Sequence, residues 1–220
     1  MSAELLNKPL SVQELPDQLP LLEWITEADR VKRLSHDFSW FSPTLKRELA
    51  EKKAEIVARP RNIEEIQQVV AACAKALIPI TVRGAGTNSK GQSTPIHGGL
   101  VLDISGYSGF SWIRGQLARA QAGIRLSEFN DIARQKGLEL SCTPAAFGEG
   151  TLGGILAGGV DGAGGQHGQA QAAGYAGNGV GIAGGGGQIY FHIRSHGREH
   201  ASHAEARVST AASYRYVIRR

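Results

Sequence analysis

The chain reads as a mixed helix-and-strand fold, and three observations predict it. A short branched run, Ile56-Val57-Ala58, is followed by an amphipathic stretch and then by a second branched run, Ile80-Thr81-Val82. Strand, helix and strand at that length typically form a parallel unit with a right-handed crossover. Further on, Leu100-Val101-Leu102-Asp103-Ile104 and the alternating Leu117-Ala118-Arg119-Ala120-Gln121-Ala122 read as two more strands, with another helical pattern after them. Finally, two loops of small and hydroxyl-bearing residues punctuate this grammar, one after the second strand and one after the last helix.

Taken in order, residues 1–20 are polar and broken by Pro9, Pro16 and Pro20, so they read as an arm. Leu22, Ile25, Val31 and Leu34 recur at roughly helical spacing and predict a helix over Leu21 to Leu34. The stretch from His36 to Pro43 is a break, and Leu45 to Lys53 is a charged helix. After the first strand, Pro60 closes it and Asn62 is a helix N-cap, with Glu65 placed to complete a capping box. Ile63, Ile66, Val69, Val70, Cys73 and Leu77 then share one helical face, and Pro79 ends that helix. A loop spans Gly84 to Gly98. Leu126, Phe129, Ile132 and Ala133 mark a helix that stops at Gly137. Thr151 to Gly159 suits a helix start whose small residues permit close backbone approach.

Composition bounds the partners. The net charge of the 220 residues is +4, but the first 160 residues carry 18 lysines and arginines against 17 aspartates and glutamates. A neutral body with a basic tail does not form a phosphate-binding groove, so no nucleic-acid partner is expected. The two cysteines, Cys73 and Cys142, have no metal-ligand spacing and no disulfide framework, which favours a reducing compartment. No segment approaches a membrane span, and the N-terminus lacks the apolar core of a signal peptide, so a cytoplasmic protein is expected.

The first small-residue loop, Arg83-Gly84-Ala85-Gly86-Thr87-Asn88-Ser89, follows a strand directly. Successive N–H groups in such a loop can wrap a diphosphate, and small side chains let the anion approach. It is not a Walker loop, since Lys90 precedes Gly91 instead of lying between a glycine and a Ser or Thr. It is not a Rossmann fingerprint either, because Ser89 stands where the third glycine is needed. Taken alone, Gly-Ala-Gly reads more readily as an ordinary turn. The second loop runs from Thr143-Pro144 to Gly150-Thr151-Leu152-Gly153-Gly154, and by itself it reads equally as a glycine-rich helix start. Together the two imply a ligand whose diphosphate is held between them.

At these positions the sequence resembles a known family. Ala58-Arg59-Pro60-Arg61, Ile80 through Thr87, Gly99 through Asp103, Ala120-Gln121-Ala122-Gly123 and Thr151-Leu152-Gly153-Gly154 look like the FAD-binding, PCMH-type domain of the vanillyl-alcohol-oxidase family. Within that family the chain most resembles the FAD-linked oxidases of the glycolate oxidase and D-lactate dehydrogenase branch. The segment Asp37 to Pro43 also looks like the approach to this domain in some members.

The resemblance implies an α+β, two-subdomain FAD-binding PCMH-type fold, incomplete at the C-terminus, with a small parallel subdomain and a larger antiparallel one. It also implies three regions: an arm with helices over 1–53, a partial FAD-binding domain over 54–160, and a tail over 161–220. Arg83, Gly84, Ala85, Gly86, Thr87, Asn88 and Ser89 would hold the pyrophosphate, with Pro144, Thr151, Leu152, Gly153, Gly154 and Gly158 on the second side. Several relatives carry a flavin-linking histidine just after the glycine loop. Thr87 and Asn88 stand there in this chain, which implies non-covalent FAD. The implied activity is oxidation of a 2-hydroxy acid such as D-lactate or glycolate, with a flavin-binding module or inactive fragment needing a partner subunit as the alternative. Substrate-binding and base residues come in the family largely from a C-terminal cap domain, so no catalytic residue is assigned here.

The pattern stops near Val160. Residues 161–220 contain no leucine and no lysine, hold five of the seven histidines, and read as a disordered or non-native glycine-, histidine- and arginine-rich tail. Gln188 to Ile193 reads as at most one isolated strand. His192, His196, His200 and His203 fall at helical spacing, but Gly197 interrupts them and no apolar face supports a helix, so no metal site is expected. So abrupt a change suggests a shift of reading frame or a mis-spliced gene. Translating the underlying nucleotides in the other two frames should restore the missing strands and the cap domain; if neither frame does, the idea fails.

Overall fold

A computed structural model describes residues 10–114, 117–140, 143–144, 148–158, 162–163 and 213–219. The chain divides into two compact units between Tyr107 and Ser108.

The first unit is built on a four-stranded sheet of β1 (Glu23–Ile25), β2 (Ile56–Arg59), β3 (Ile80–Arg83) and β4 (Leu100–Asp103), in the order β1-β2-β4-β3. The strand-helix-strand unit is parallel as the sequence predicts, with β4 slotted between β2 and β3 and parallel to both. Strands buried on two faces are apolar throughout, and this explains the unbroken Ile56-Val57-Ala58 and Leu100-Val101-Leu102. Ile56, Ala58, Leu100 and Leu102 point into one cluster with Val69 and Cys73 of α4 (Ile63–Ala76). Val57 and Val101 point into the opposite cluster with Val31 of α2 (Ala28–Leu34). Burial raises the Cys73 thiol to about 11, so it behaves as a small apolar side chain.

Helix α4 starts as predicted, with the Asn62 side chain accepting from Glu65 N–H at 2.8 Å. Glu65 reaches back one residue further than a capping box requires, accepting from Arg61 N–H at 2.7 Å. The helix ends at Ala76. Leu77 adopts φ 57° as the C-cap and is exposed, so it does not belong to the apolar face on which periodicity placed it.

Two N-terminal expectations are corrected. The helix expected over Leu21 to Leu34 is a strand followed by a helix, because Trp24 and Ile25 pair antiparallel with Ala58 and Val57 and extend the sheet. The expected arm is packed from Leu10 onward. Val12 lies in a short 3-10 turn (Val12–Glu14), Leu15 opens α1 (Leu15–Gln18), and both are buried in the α4 cluster. Trp24 Nε1 donates to Leu19 O at 2.9 Å and ties the segment to β1. Within Leu45 to Lys53, the helix is α3 (Pro43–Leu49), starting two residues earlier than expected and capped by Ser42.

The second unit is antiparallel. Strands β5 (Phe110–Arg114), β6 (Leu117–Gln121), β7 (Glu139–Leu140) and β10 (Ser213–Arg219) form a sheet in the order β5-β6-β10-β7, while β8 (Thr143–Pro144) pairs with β9 (Gly162–Ala163). Helix α5 (Leu126–Arg134) packs Leu126, Phe129 and Ala133 against Ala118, Ala120, Leu152 and Ile155, with the rings of Phe110 and Phe129 6.0 Å apart. Gly137, at φ 68°, lets Leu138 N–H return to Ala133 O, so the chain leaves the helix where the sequence predicts. The stretch Ser213–Arg219, read from sequence as part of an unstructured tail, pairs with β6 and β7. The alternation in Tyr214-Arg215-Tyr216-Val217 was the available signal. The histidines at 192, 196, 200 and 203 and the stretch 188–193 lie outside the described residues.

Leu15 separates a packed N-terminus from an arm. Leu15→Ala should destabilise the chain by about 2–5 kcal/mol in urea denaturation, the range for a buried leucine. A change within about 0.5 kcal/mol, usual for a surface position, would contradict the packing described.

Candidate functional site

Parallel α/β sheets bind ligands beyond the carboxyl ends of their strands. At that end of the first unit, the last residues of β2, β4 and β3 are Arg59, Asp103 and Arg83. Asp103 is 1% exposed and accepts from Arg59 Nε and Nη2 at 3.0 and 2.9 Å, while its other oxygen accepts from Ser105 N–H. Burial lowers the Arg59 guanidinium's affinity for its proton, but the bonds and charges of Asp103 and Glu23 outweigh it and leave the group more firmly protonated than usual. Glu23, held mainly by the hydrogen bond from Arg61, lies below its ordinary range despite some desolvation.

Arg83 ends β3 in register with Asp103. Its Nη1 donates to Gly84 O at 2.9 Å, and its Nε is buried with no hydrogen-bond partner. Burial pulls the guanidinium below its usual range, opposed by the charges of Asp103 and Asp37. Gly86 sits at φ 71° directly against this guanidinium, and a methyl group there would collide with it. The left-handed backbone requires glycine at this point, and the guanidinium would also have to shift to admit a side chain.

Beyond Arg83 the loop exposes donors. Among the described residues, no backbone N–H from Ala85 to Ser89 makes a hydrogen bond. The loop is shaped from its other groups. Asn88 O accepts from Phe38 N–H at 3.0 Å, Asn88 Oδ1 accepts from Lys90 N–H at 3.0 Å, and Asn88 Nδ2 donates to Ser93 Oγ at 3.4 Å. Asp37 accepts from Ser39 N–H and from Ser93 N–H, at 2.9 and 3.3 Å. Ser93 and Thr94 are buried, and Thr94 Oγ1 has no partner.

The second loop has the opposite character. In α6 (Leu152–Gly158), Leu152 N–H donates to Ile124 O and Gly153 N–H to Ala122 O, both at 2.8 Å, and Gly154 N–H donates to Thr151 Oγ1 at 3.3 Å. Leu126 N–H donates to Gly150 O at 3.0 Å, and Arg125 bridges Thr151. The helix start is thus sewn to the segment Ala122–Leu126. A side chain on Gly154 would press on Thr151 Oγ1 at 2.9 Å.

The structure therefore separates the residues singled out from sequence. Gly84, Ala85, Gly86, Thr87 and Ser89 form a loop with unpaired donors, and Asn88 shapes that loop with its side chain. Arg83 lies beneath it. The Leu152 side chain is fully buried in the second unit's core and its N–H donates to Ile124 O, so it anchors the helix. Gly153 is buried with its N–H also taken, Thr151 is buried, and the Gly154 N–H is held by Thr151 Oγ1. Pro144 lies in the β8–β9 pair opposite Gly162, and Gly158 ends α6. Sequence reasoning missed Asp37, Ser93 and Thr94. A charged residue before the aromatic run Phe38 to Phe41 was visible, but its bond to a loop 56 positions away was not.

A diphosphate needs N–H donors without competing partners and a loop that small residues keep open. Ala85 to Ser89 meets both conditions, so the first loop fits such a group. The model of the FAD binding domain family matches residues 54–174, more than half of the chain. The glycolate oxidase subunit GlcD of Bacillus subtilis is 31% identical over 102 residues, covering 46% of this chain and 22% of that protein. The D-lactate dehydrogenase of Archaeoglobus fulgidus is 29% identical over 103 residues, covering 46% and 23%. The chain thus spans about a fifth to a quarter of the length of these relatives. Among solved structures, an alkyldihydroxyacetonephosphate synthase aligns with a TM-score of 0.58 at 21% identity, over 71% of this chain and 33% of that one. The 4-ethylphenol oxidase of Gulosibacter chungangensis aligns at 0.55 and 20% identity, over 71% and 29%. The fold is the α+β, PCMH-type one that the sequence resemblance implies. With its glycine loop at the carboxyl end of a parallel sheet and a family match over residues 54–174, the chain belongs to the FAD binding domain family, whose cofactor is FAD.

Proposed function

We propose that this chain is the cofactor-binding part of an FAD-dependent oxidoreductase acting on a 2-hydroxy acid of the D-lactate or glycolate type. The observation that carries the binding assignment is the row of unpaired N–H groups from Ala85 to Ser89 around Gly86. These donors hold the diphosphate. When bound, the flavin supplies the acceptor for hydride from the substrate carbon. The chain's own residues orient the cofactor: Arg83 supports the loop from beneath, and the Asp103–Arg59 pair fixes the strand ends that carry it. Binding is non-covalent, since Thr87 and Asn88 offer no imidazole for a flavin link. The substrate class rests on the relatives, glycolate oxidase subunit GlcD and D-lactate dehydrogenase.

The relatives' greater length and the word "subunit" in the first of those names favour a second reading, a flavin-binding module that works with a partner subunit. Among the described residues no helix is long and apolar enough to cross a membrane.

The purified chain should show the visible absorption bands of bound flavin, and acid precipitation should release the flavin into the supernatant. Flavin that stays with the precipitate would contradict non-covalent binding. Gly86→Ala forces a side chain into the left-handed region and into Arg83, and should weaken FAD binding at least tenfold, or by about 1.4 kcal/mol. Wild-type affinity in that variant would remove the loop from the site. Dye reduction by D-lactate or glycolate selects the enzymatic reading; bound flavin that neither acid reduces selects the module.

A further inference from the structure

The loop that holds the diphosphate is long and rich in glycine, and a loop of this kind binds weakly unless it is fixed beforehand. Ordering each residue costs about 1–2 kcal/mol in backbone entropy alone, and pre-organisation removes that cost from binding. Strand β3 fixes only the loop's beginning at Arg83, and Thr94 N–H to Gly91 O at 3.1 Å closes only a local turn. Asn88 ties Lys90 N–H and Ser93 Oγ within the stretch between them, and a separate segment of the chain holds that stretch from outside.

That segment is Asp37 to Phe41, between α2 and α3. Asp37 Oδ2 accepts from Ser93 N–H, Phe38 N–H donates to Asn88 O, and the Phe41 ring lies against Gly91, where a methyl group would meet Cζ at 2.5 Å. Phe38 and Trp40 are exposed, Trp40 at 95%, so the segment is held on the loop by these bonds and by Phe41 and not by burial of its other two aromatic rings. Asp37 is the one residue of the segment that grips with a side-chain charge. Its other oxygen accepts from Ser39 N–H, which sets the turn that directs Phe38 and Phe41 to the loop.

We propose that Asp37 is a positioning residue for FAD: it holds the diphosphate loop in its binding shape by tying Ser93 N–H and setting the turn that brings Phe38 and Phe41 onto Asn88 and Gly91. The proposal rests on the FAD reading above. Asp37 touches the loop's far side through the Ser93 N–H alone and leaves the donors of Ala85 to Ser89 free. It also lies close enough to Arg83 to stabilise the charge of that guanidinium, so one carboxylate supports both the outer turn and the base of the loop.

The test uses the full chain and two readouts. In the cofactor-free protein, trypsin cleavage after the exposed Lys90 reports the loop's fixation without any ligand. Titration with FAD reports affinity. Asp37→Ala should speed cleavage after Lys90 several-fold and weaken FAD about tenfold, the effect of losing one charge-assisted hydrogen bond, while the urea midpoint stays near wild type. Asp37→Asn, which keeps one carbonyl acceptor, should recover part of both, and Trp40→Ala should leave both unchanged. If Asp37→Ala cleaves and binds like wild type, the assignment of Asp37 is overturned and the FAD reading stands. If affinity falls only in step with the folded fraction, Asp37 is a general stabiliser and the proposal is likewise overturned. A folded wild-type chain that takes up no FAD overturns the functional reading, and the proposal with it.

Discussion

Nearly every backbone N–H in a folded protein is hydrogen-bonded, to the chain itself, to water or to a ligand. The two glycine-containing loops of this chain meet that requirement in opposite ways. At the start of α6 the first three N–H groups are returned to Ile124, Ala122 and Thr151, so the loop is a structural joint. After β3 the N–H groups from Ala85 to Ser89 have no partner among the described residues. The surroundings of that loop are consistent with keeping it so. A sheet with apolar strands on both faces holds its beginning, and Asn88 uses its carbonyl and side chain for the loop's shape.

The charges at the strand ends follow from the same requirement. Arg83 lies partly buried beneath the loop, with its Nε unpartnered and its proton affinity reduced by burial. Asp103 and Asp37 offset that penalty, and Asp103 is itself neutralised by Arg59. The result is a chain of alternating charge at the carboxyl edge of the sheet, ending under a loop suited to an anion. A carboxylate as buried as Asp103 is tolerated only when paired and hydrogen-bonded, and here it accepts from both Arg59 and Ser105.

Much of this was legible in the sequence, for identifiable reasons. Ile56 to Ala58, Asn62 to Ala76 and Ile80 to Arg83 carry strong local signals, and the structure follows them. Trp24 and Ile25 were misread as helical because a three-residue strand has too short a period to compete with Leu22, Val31 and Leu34. Leu15 was misread because the prolines around it suggest an arm, while its burial depends on α4, some fifty residues later. Strand β5 was missed because Phe110-Ser111-Trp112-Ile113-Arg114 carries a bulge that breaks its alternation. At the site, the glycine loop itself was visible, but the hydrogen-bond state of its amides was not. Leu152, the apolar side chain beside Gly153, lies in the core of the second unit.

The account turns on the contrast between the two sets of amides, and hydrogen exchange reads them residue by residue. In the cofactor-free chain, the N–H groups of Ala85 to Ser89 should exchange rapidly and those of Leu152 to Gly154 slowly. Added FAD should protect the first set strongly and change the second little. Slow exchange at Ala85 to Ser89 without FAD, or protection that appears only at Leu152 to Gly154, would contradict it.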